Sequence, residues 1–189
     1  MAKAIRRVYI IYKAAGEFSL TYTLMRQSAE KMMRKQIINR SPKGPISTDH
    51  AWLDLERLAQ VEITSEETGH PVESALTTGG GPGWLADENG EQTIRLLFDE
   101  PQALGHIHLV FEEERRERTH EFVLRWSKDG GRSYREILRQ QYTFSPPGAT
   151  REVEDYTVNL GGVTALELTI VPDTSGGDAR ASLISLRLG

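Results

Sequence analysis

Phe122-Val123-Leu124-Arg125-Trp126, followed at once by Ser127-Lys128-Asp129-Gly130-Gly131, decides the fold class. A short β-prone run of five residues halts at a turn in which Asp, Gly and Gly supply the conformations a reversal needs. Working outward, the same grammar repeats. Thr93-Ile94-Arg95-Leu96-Leu97-Phe98, His106-Ile107-His108-Leu109-Val110-Phe111, Leu166-Glu167-Leu168-Thr169-Ile170 and Leu183-Ile184-Ser185-Leu186 are runs of the same kind. Turn signals fall between them at Asp99-Glu100-Pro101, Pro146-Pro147-Gly148, Gly161-Gly162 and Gly176-Gly177. Short strands at regular spacing without intervening helical periodicity predict an antiparallel sandwich over Val61 to Leu188.

The first 60 residues read differently. Leu20 to Asn39 carries a helical apolar stripe of Leu24, Ala29, Met32, Met33, Gln36 and Ile37, with Arg26, Lys31, Arg34 and Lys35 elsewhere. Ser41-Pro42-Lys43-Gly44-Pro45 ends it as a linker. A second short helix is expected after the Ser47-Thr48-Asp49 caps, with Trp52, Leu55, Leu58 and Ala59 on its buried face. Val8 to Tyr12 is β-prone, whereas Ala2 to Arg7 favours helix, so that segment stays open. The expected organisation is mainly β: a basic helical N-terminal appendage over 1–60 and a jelly-roll β-sandwich over 61–189.

Composition bounds the chemistry. The 189 residues, 38% hydrophobic and 26% charged, are ordinary for a soluble globular protein of one domain plus an appendage. No cysteine is present, which excludes disulfides, thiolate catalysis and cysteine metal sites. Residues 1–50 hold ten Lys/Arg against three Asp/Glu, while the remainder holds thirteen against twenty-four, giving +7 and −11. A basic arm on an acidic body either folds back, docks on an acidic neighbour, or meets an anionic polymer or surface. The apolar run Val8-Tyr9-Ile10-Ile11-Tyr12 is too short for a signal-peptide core or a membrane span, so the chain is expected to be cytoplasmic.

Four features in order resemble the galactose-binding-like jelly roll, the superfamily of discoidin and coagulation-factor type C domains, carbohydrate-binding modules and the N-terminal domain of a strand-break repair scaffold. Thr64-Ser65-Glu66 with His70 to Leu76 resembles its opening loop, and Trp84 stands where that loop delivers a tryptophan. Gln92 to Phe98, Pro101 and Ile107 to Phe111 resemble its strand pair around a short turn. Phe122 to Trp126, Ser127, Asp129, Gly130 and Tyr134 to Leu138 resemble its strand, S-x-D-G turn and strand. The resemblance covers about two-thirds of the chain and implies a fold that carries many ligands. Many relatives hold a structural calcium with an aspartate after the Ala-Leu step. Here Thr77-Thr78-Gly79-Gly80 supplies no carboxylate, so neither calcium nor another cofactor is expected.

No nucleophile elbow, zinc-protease helix motif or phosphate loop is present, and a non-enzymatic role is expected. His106 and His108, two apart on a strand, share one face; they are either metal ligands or solvent-facing residues. The charge run Glu112 to His120 is either a solvated hairpin or a ligand loop at the sandwich mouth. Relatives bind through such loops, and Arg115, Arg116, Arg118 and His120 match that recipe by residue type. Trp84 either stacks on a sugar ring or caps the core. These five residues form the expected ligand site. The first function reading is a non-catalytic module holding a carbohydrate or similar polar ligand at one end of the sandwich. The alternative is an intracellular protein-interaction or assembly module, docking through the basic N-terminal helices. Residues 1–46 would then also serve a homo-oligomer or larger assembly. The acidic body argues against nucleic acid.

Overall fold

The structure is a computed structural model and describes residues 51–189. The helix over Leu20 to Asn39, the basic arm and the assembly role of residues 1–46 lie outside the described residues. The elements in chain order are α1 (Leu55–Leu58), β1 (Ala59–Ile63), α2 (Glu73–Leu76), β2 (Trp84–Asn89), β3 (Gln92–Glu112), β4 (Arg118–Ser127), β5 (Arg135–Phe144), β6 (Arg151–Val171), β7 (Arg180–Leu183) and β8 (Ser185–Leu188). The helix expected after Asp49 is a single turn. Ala59 is already extended, and Val61 packs opposite Leu96 in a strand ladder that outcompetes further helix.

Every strand pair is antiparallel. Hydrogen bonding links β1-β3-β6-β4-β5, with β8 on β3, and a separate β2–β7 pair. β3 and β6 are each 21 residues long, several times an ordinary strand. Together they form one ribbon that bends from one layer of the sandwich into the other. Residues 92–97 pair with 165–170 and carry β1 and β4 on either side; residues 102–112 pair with 151–163 and carry β8. The register slips between Leu97 and Gln102 and again by Leu104, opposite Gly161 and Gly162. Asp99-Glu100-Pro101 and Gly161-Gly162, which read as chain reversals, are thus the two facing sides of one corner. Pro101 sits where the ladder lapses, and Gly162 takes φ +72.

Inward side chains alternate as the pleat requires. Ile94, Leu96, Phe98, Ile107, Leu109, Phe111, Phe122, Leu124, Leu166, Leu168 and Ile170 fill the core between the layers. Phe111 of β3 stacks on Phe122 of β4 at 5.0 Å, joining the two layers. β2 and β7 close one side with Trp84, Ala86, Ala181 and Leu183. Gly83 permits this closure: its φ is +78, and a Cβ there would stand 2.7 Å from the Leu183 carbonyl. On the outer face of the five-stranded layer, Glu62, Arg95, Glu167, Arg125 and Glu136 stand opposite one another in turn, alternating in sign. Glu167 binds both neighbours, at 2.7 Å to Arg95 and 3.2 Å to Arg125.

These registers separate two ends. At one end lie the corner, the Ser127–Ser133 turn and the Leu53 amide, which donates to the Leu188 carbonyl. At the other end the loops 64–72, 113–117, 145–150 and 172–179 converge. That end is the mouth.

Candidate functional site

The segment Glu112 to His120 is not a hairpin. β3 and β4 are not paired; β6 lies between them in the ladder. The loop therefore crosses between layers at the mouth. Glu113 shapes it, its Oε1 accepting the amides of Arg115 at 2.7 Å and Arg116 at 3.3 Å. The Glu113 Oε2 lies 2.7 Å from Arg118 Nε. Arg118 is 8% exposed, and its Nη1 donates to the carbonyls of Pro172 at 2.9 Å and Arg180 at 3.2 Å. Burial lowers its pKa from the usual arginine value, although Glu113 opposes this. One guanidinium thereby ties the 113–117 loop, the 172–179 loop and β7 together.

The 64–72 loop is fixed independently. Buried Gln92 accepts from the hydroxyls of Thr64 at 2.6 Å and Ser65 at 2.8 Å. Glu66 accepts the Val72 amide, and the Glu67 amide and His70 carbonyl clamp Leu85 of β2 from both sides. The Glu67 carboxylate then lies 3.0 Å from His70 Nδ1 and 3.6 Å from Arg180 Nη1.

Between these loops opens a cleft of about 810 Å³. Its lining combines the Glu67–His70–Arg180 group and the Arg116–Asp178 pair with Glu112, Glu113, Glu114, Arg115 and Arg118, and with Leu85, Ser182 and Ile184. Arg116 Nη1 reaches Asp178 at 2.7 Å, which holds that carboxyl below the usual carboxylate range. Arg115 is exposed, with no side-chain partner among the described residues. Four arginines face five carboxylates, so the cleft is nearly balanced in charge. The lining sets donors and acceptors side by side and includes no Phe, Tyr or Trp.

Of the five site residues expected from sequence, Arg115, Arg116 and Arg118 come together in this cleft. Trp84 and His120 are not among its lining residues. Trp84 is 1% exposed, packed in the core, with Nε1 donating to the Ser65 carbonyl at 3.2 Å. His120 is 2% exposed and meets Glu152 inside the sandwich. Strand alternation explains the split: Arg118, His120 and Phe122 all face inward on β4, and only Arg118 is near enough to the mouth to line the cleft. Glu67, His70, Asp178 and Arg180 were missed, because nothing in their local spacing signals a site. The 64–72 loop, the 172–179 loop and β7, from distant parts of the chain, bring them together.

His106 and His108 point outward from β3, between inward-facing Ile107 and Leu109. His108 Nδ1 pairs with Asp155 at 2.6 Å. Among the described residues no group of three or more His, Asp or Glu gathers as a metal cage. Among them, too, no helix is long and apolar enough to cross a membrane.

No family model and no curated sequence matches this chain. Solved structures do. The family 32 carbohydrate-binding module of AlyQ, in complex with 4,5-unsaturated mannuronic acid, is 16% identical, with a TM-score of 0.53 over 74% of this chain and 98% of that one. The family 32 module from C. perfringens NanJ, in complex with galactose, is 13% identical, with a TM-score of 0.55 over 72% and 96%. A pectin-binding carbohydrate-binding module is 14% identical, with a TM-score of 0.52 over 70% and 91%. These likenesses show the fold, an antiparallel jelly-roll β-sandwich.

Proposed function

We propose that this galactose-binding-like jelly roll is a non-catalytic carbohydrate-binding module whose ligand lies in the mouth cleft. One observation carries the reading: the cleft lining combines acid–arginine pairs with the aliphatic side chains of Leu85 and Ile184. A sugar hydroxyl both donates and accepts, so adjacent hydroxyls match a carboxylate beside a guanidinium, as at Glu67–Arg180 and Asp178–Arg116. Leu85 and Ile184 offer the apolar patch that a C–H face of a pyranose requires. The cleft volume falls within the usual range for small-ligand sites. Three matched structures are carbohydrate-binding modules, two of them with a sugar bound, which supports the same reading.

A binding rather than catalytic role is supported by how three of the cleft's five acids are used. Glu113 caps its loop and pairs with Arg118, Glu67 pairs with His70 and Arg180, and Asp178 pairs with Arg116. A general acid or base needs a carboxyl available to exchange its proton with substrate. The near balance of charge in the cleft also disfavours a polyphosphate ligand.

The reading is tested by affinity electrophoresis through gels containing galactan, pectin or alginate. The wild type is expected to be retarded in at least one gel. R180A, which removes the guanidinium paired with Glu67, is expected to migrate freely at an unchanged melting temperature. Equal retardation of both proteins would overturn the assignment to this cleft.

A further inference from the structure

We infer that the mouth carries a second saccharide subsite on the far side of Arg118, so that the ligand is a chain of at least two sugar units. The inference rests on the reading of the cleft as a carbohydrate site and extends it. Arg118 lines two depressions: the cleft, and a smaller basin of about 210 Å³. Hydroxyl groups dominate the basin, from Thr119, Thr143, Thr174 and Ser175, with the carboxylates of Asp173 and Glu117 beside them.

The basin is built into the fold. Thr119 and Thr143 stand opposite each other on β4 and β5, with their hydroxyls 2.8 Å apart. The Thr174 amide donates to the Thr119 carbonyl at 2.8 Å, which fixes the 172–179 loop against the start of β4. Asp173 Oδ1 accepts the amide of Ser175 at 2.9 Å and its hydroxyl at 2.6 Å, and these bonds hold the carboxyl below its usual range. The carboxylate thus stays an acceptor, and among the described residues its Oδ2 has no hydrogen-bond partner. The same loop reaches the cleft five residues later through Asp178, bonded there to Arg116. Both depressions therefore share one loop and one buried arginine. The basin's one guanidinium, Arg118, is already committed to Glu113, Pro172 and Arg180. A second unit is held there by its hydroxyls.

Isothermal titration of the full chain tests this with galactose, galacturonate and mannuronate, each as the mono-, di- and trisaccharide. A T143V/T174V variant keeps β-branched shape while removing two basin hydroxyls. The expected result is a gain of about tenfold or more from one unit to two, lost in T143V/T174V, with monosaccharide affinity and melting temperature unchanged. Monosaccharide binding without any gain for the disaccharide would overturn the second subsite and leave the cleft reading intact. A gain that survives in the variant would also overturn it. Absence of binding across all three series would overturn both.

Discussion

His120 and Glu152 meet inside the sandwich, one from each layer, with both side chains almost fully withdrawn from solvent. Phe111 and Phe144 flank the imidazole at centroid distances of 4.7 and 4.9 Å. A polar pair in such surroundings is costly to split, because the remaining group is left buried without its partner. E152A is expected to lose about 3–5 kcal/mol of stability. The double variant H120F/E152L, apolar throughout, is expected to recover most of that. Urea denaturation of the three proteins checks it; a double variant no better than E152A would contradict it.

Arg118 acts as a clasp across the mouth, tying the 113–117 loop, the 172–179 loop and β7 together. Lysine places one ammonium where the guanidinium reaches two carbonyls and a carboxylate. R118K is expected to cost about 2–3 kcal/mol. Amide hydrogen exchange is expected to quicken across 172–180 while the core strands stay protected. Exchange unchanged in that loop would show that the clasp is dispensable.

Trp84 belongs to the core. W84A is expected to lose about 3–5 kcal/mol. W84F, which keeps most of the buried ring, is expected to retain full ligand affinity at temperatures where it is folded. A W84F protein that melts normally but no longer binds would return Trp84 to the site.

Asp129 locks the turn at the opposite end. It accepts from the Ser127 and Ser133 hydroxyls, both at 2.6 Å, and from the Ser133 amide at 2.9 Å. These bonds hold its carboxyl far below the ordinary value of 3.8. A depressed carboxyl contributes stability above its unfolded value, and that contribution fades as pH falls towards the folded value. The melting-temperature gap between wild type and D129A is therefore expected to be widest near neutrality. It should narrow once the pH drops below about 4. A gap independent of pH would contradict the assignment.

The layout of the sandwich was legible because period-two runs and Gly/Pro punctuation are local signals. Phe122 to Trp126 and the Asp129 turn read in sequence as they stand in space. The corner was not legible: Pro101 and Gly161-Gly162 carry turn chemistry whether the chain reverses or merely bends. Their roles emerge only from mutual register. At the mouth, residue type flagged Arg115, Arg116 and Arg118. It could not show that β4 turns His120 inward, nor that His70 and Arg180, 110 positions apart, converge on Glu67. Convergence of loops is a tertiary property with no local pattern to announce it.

The cleft as the carbohydrate site is the central claim, and backbone amide chemical-shift mapping tests it most directly. The protein would be titrated with galactose, galacturonate and mannuronate disaccharides. The account predicts shifts concentrated at residues 67–70, 85, 113–118 and 178–184, with little change at the 127–133 turn or the corner. Saturable shifts centred on those opposite-end residues, with the mouth unmoved, would contradict it.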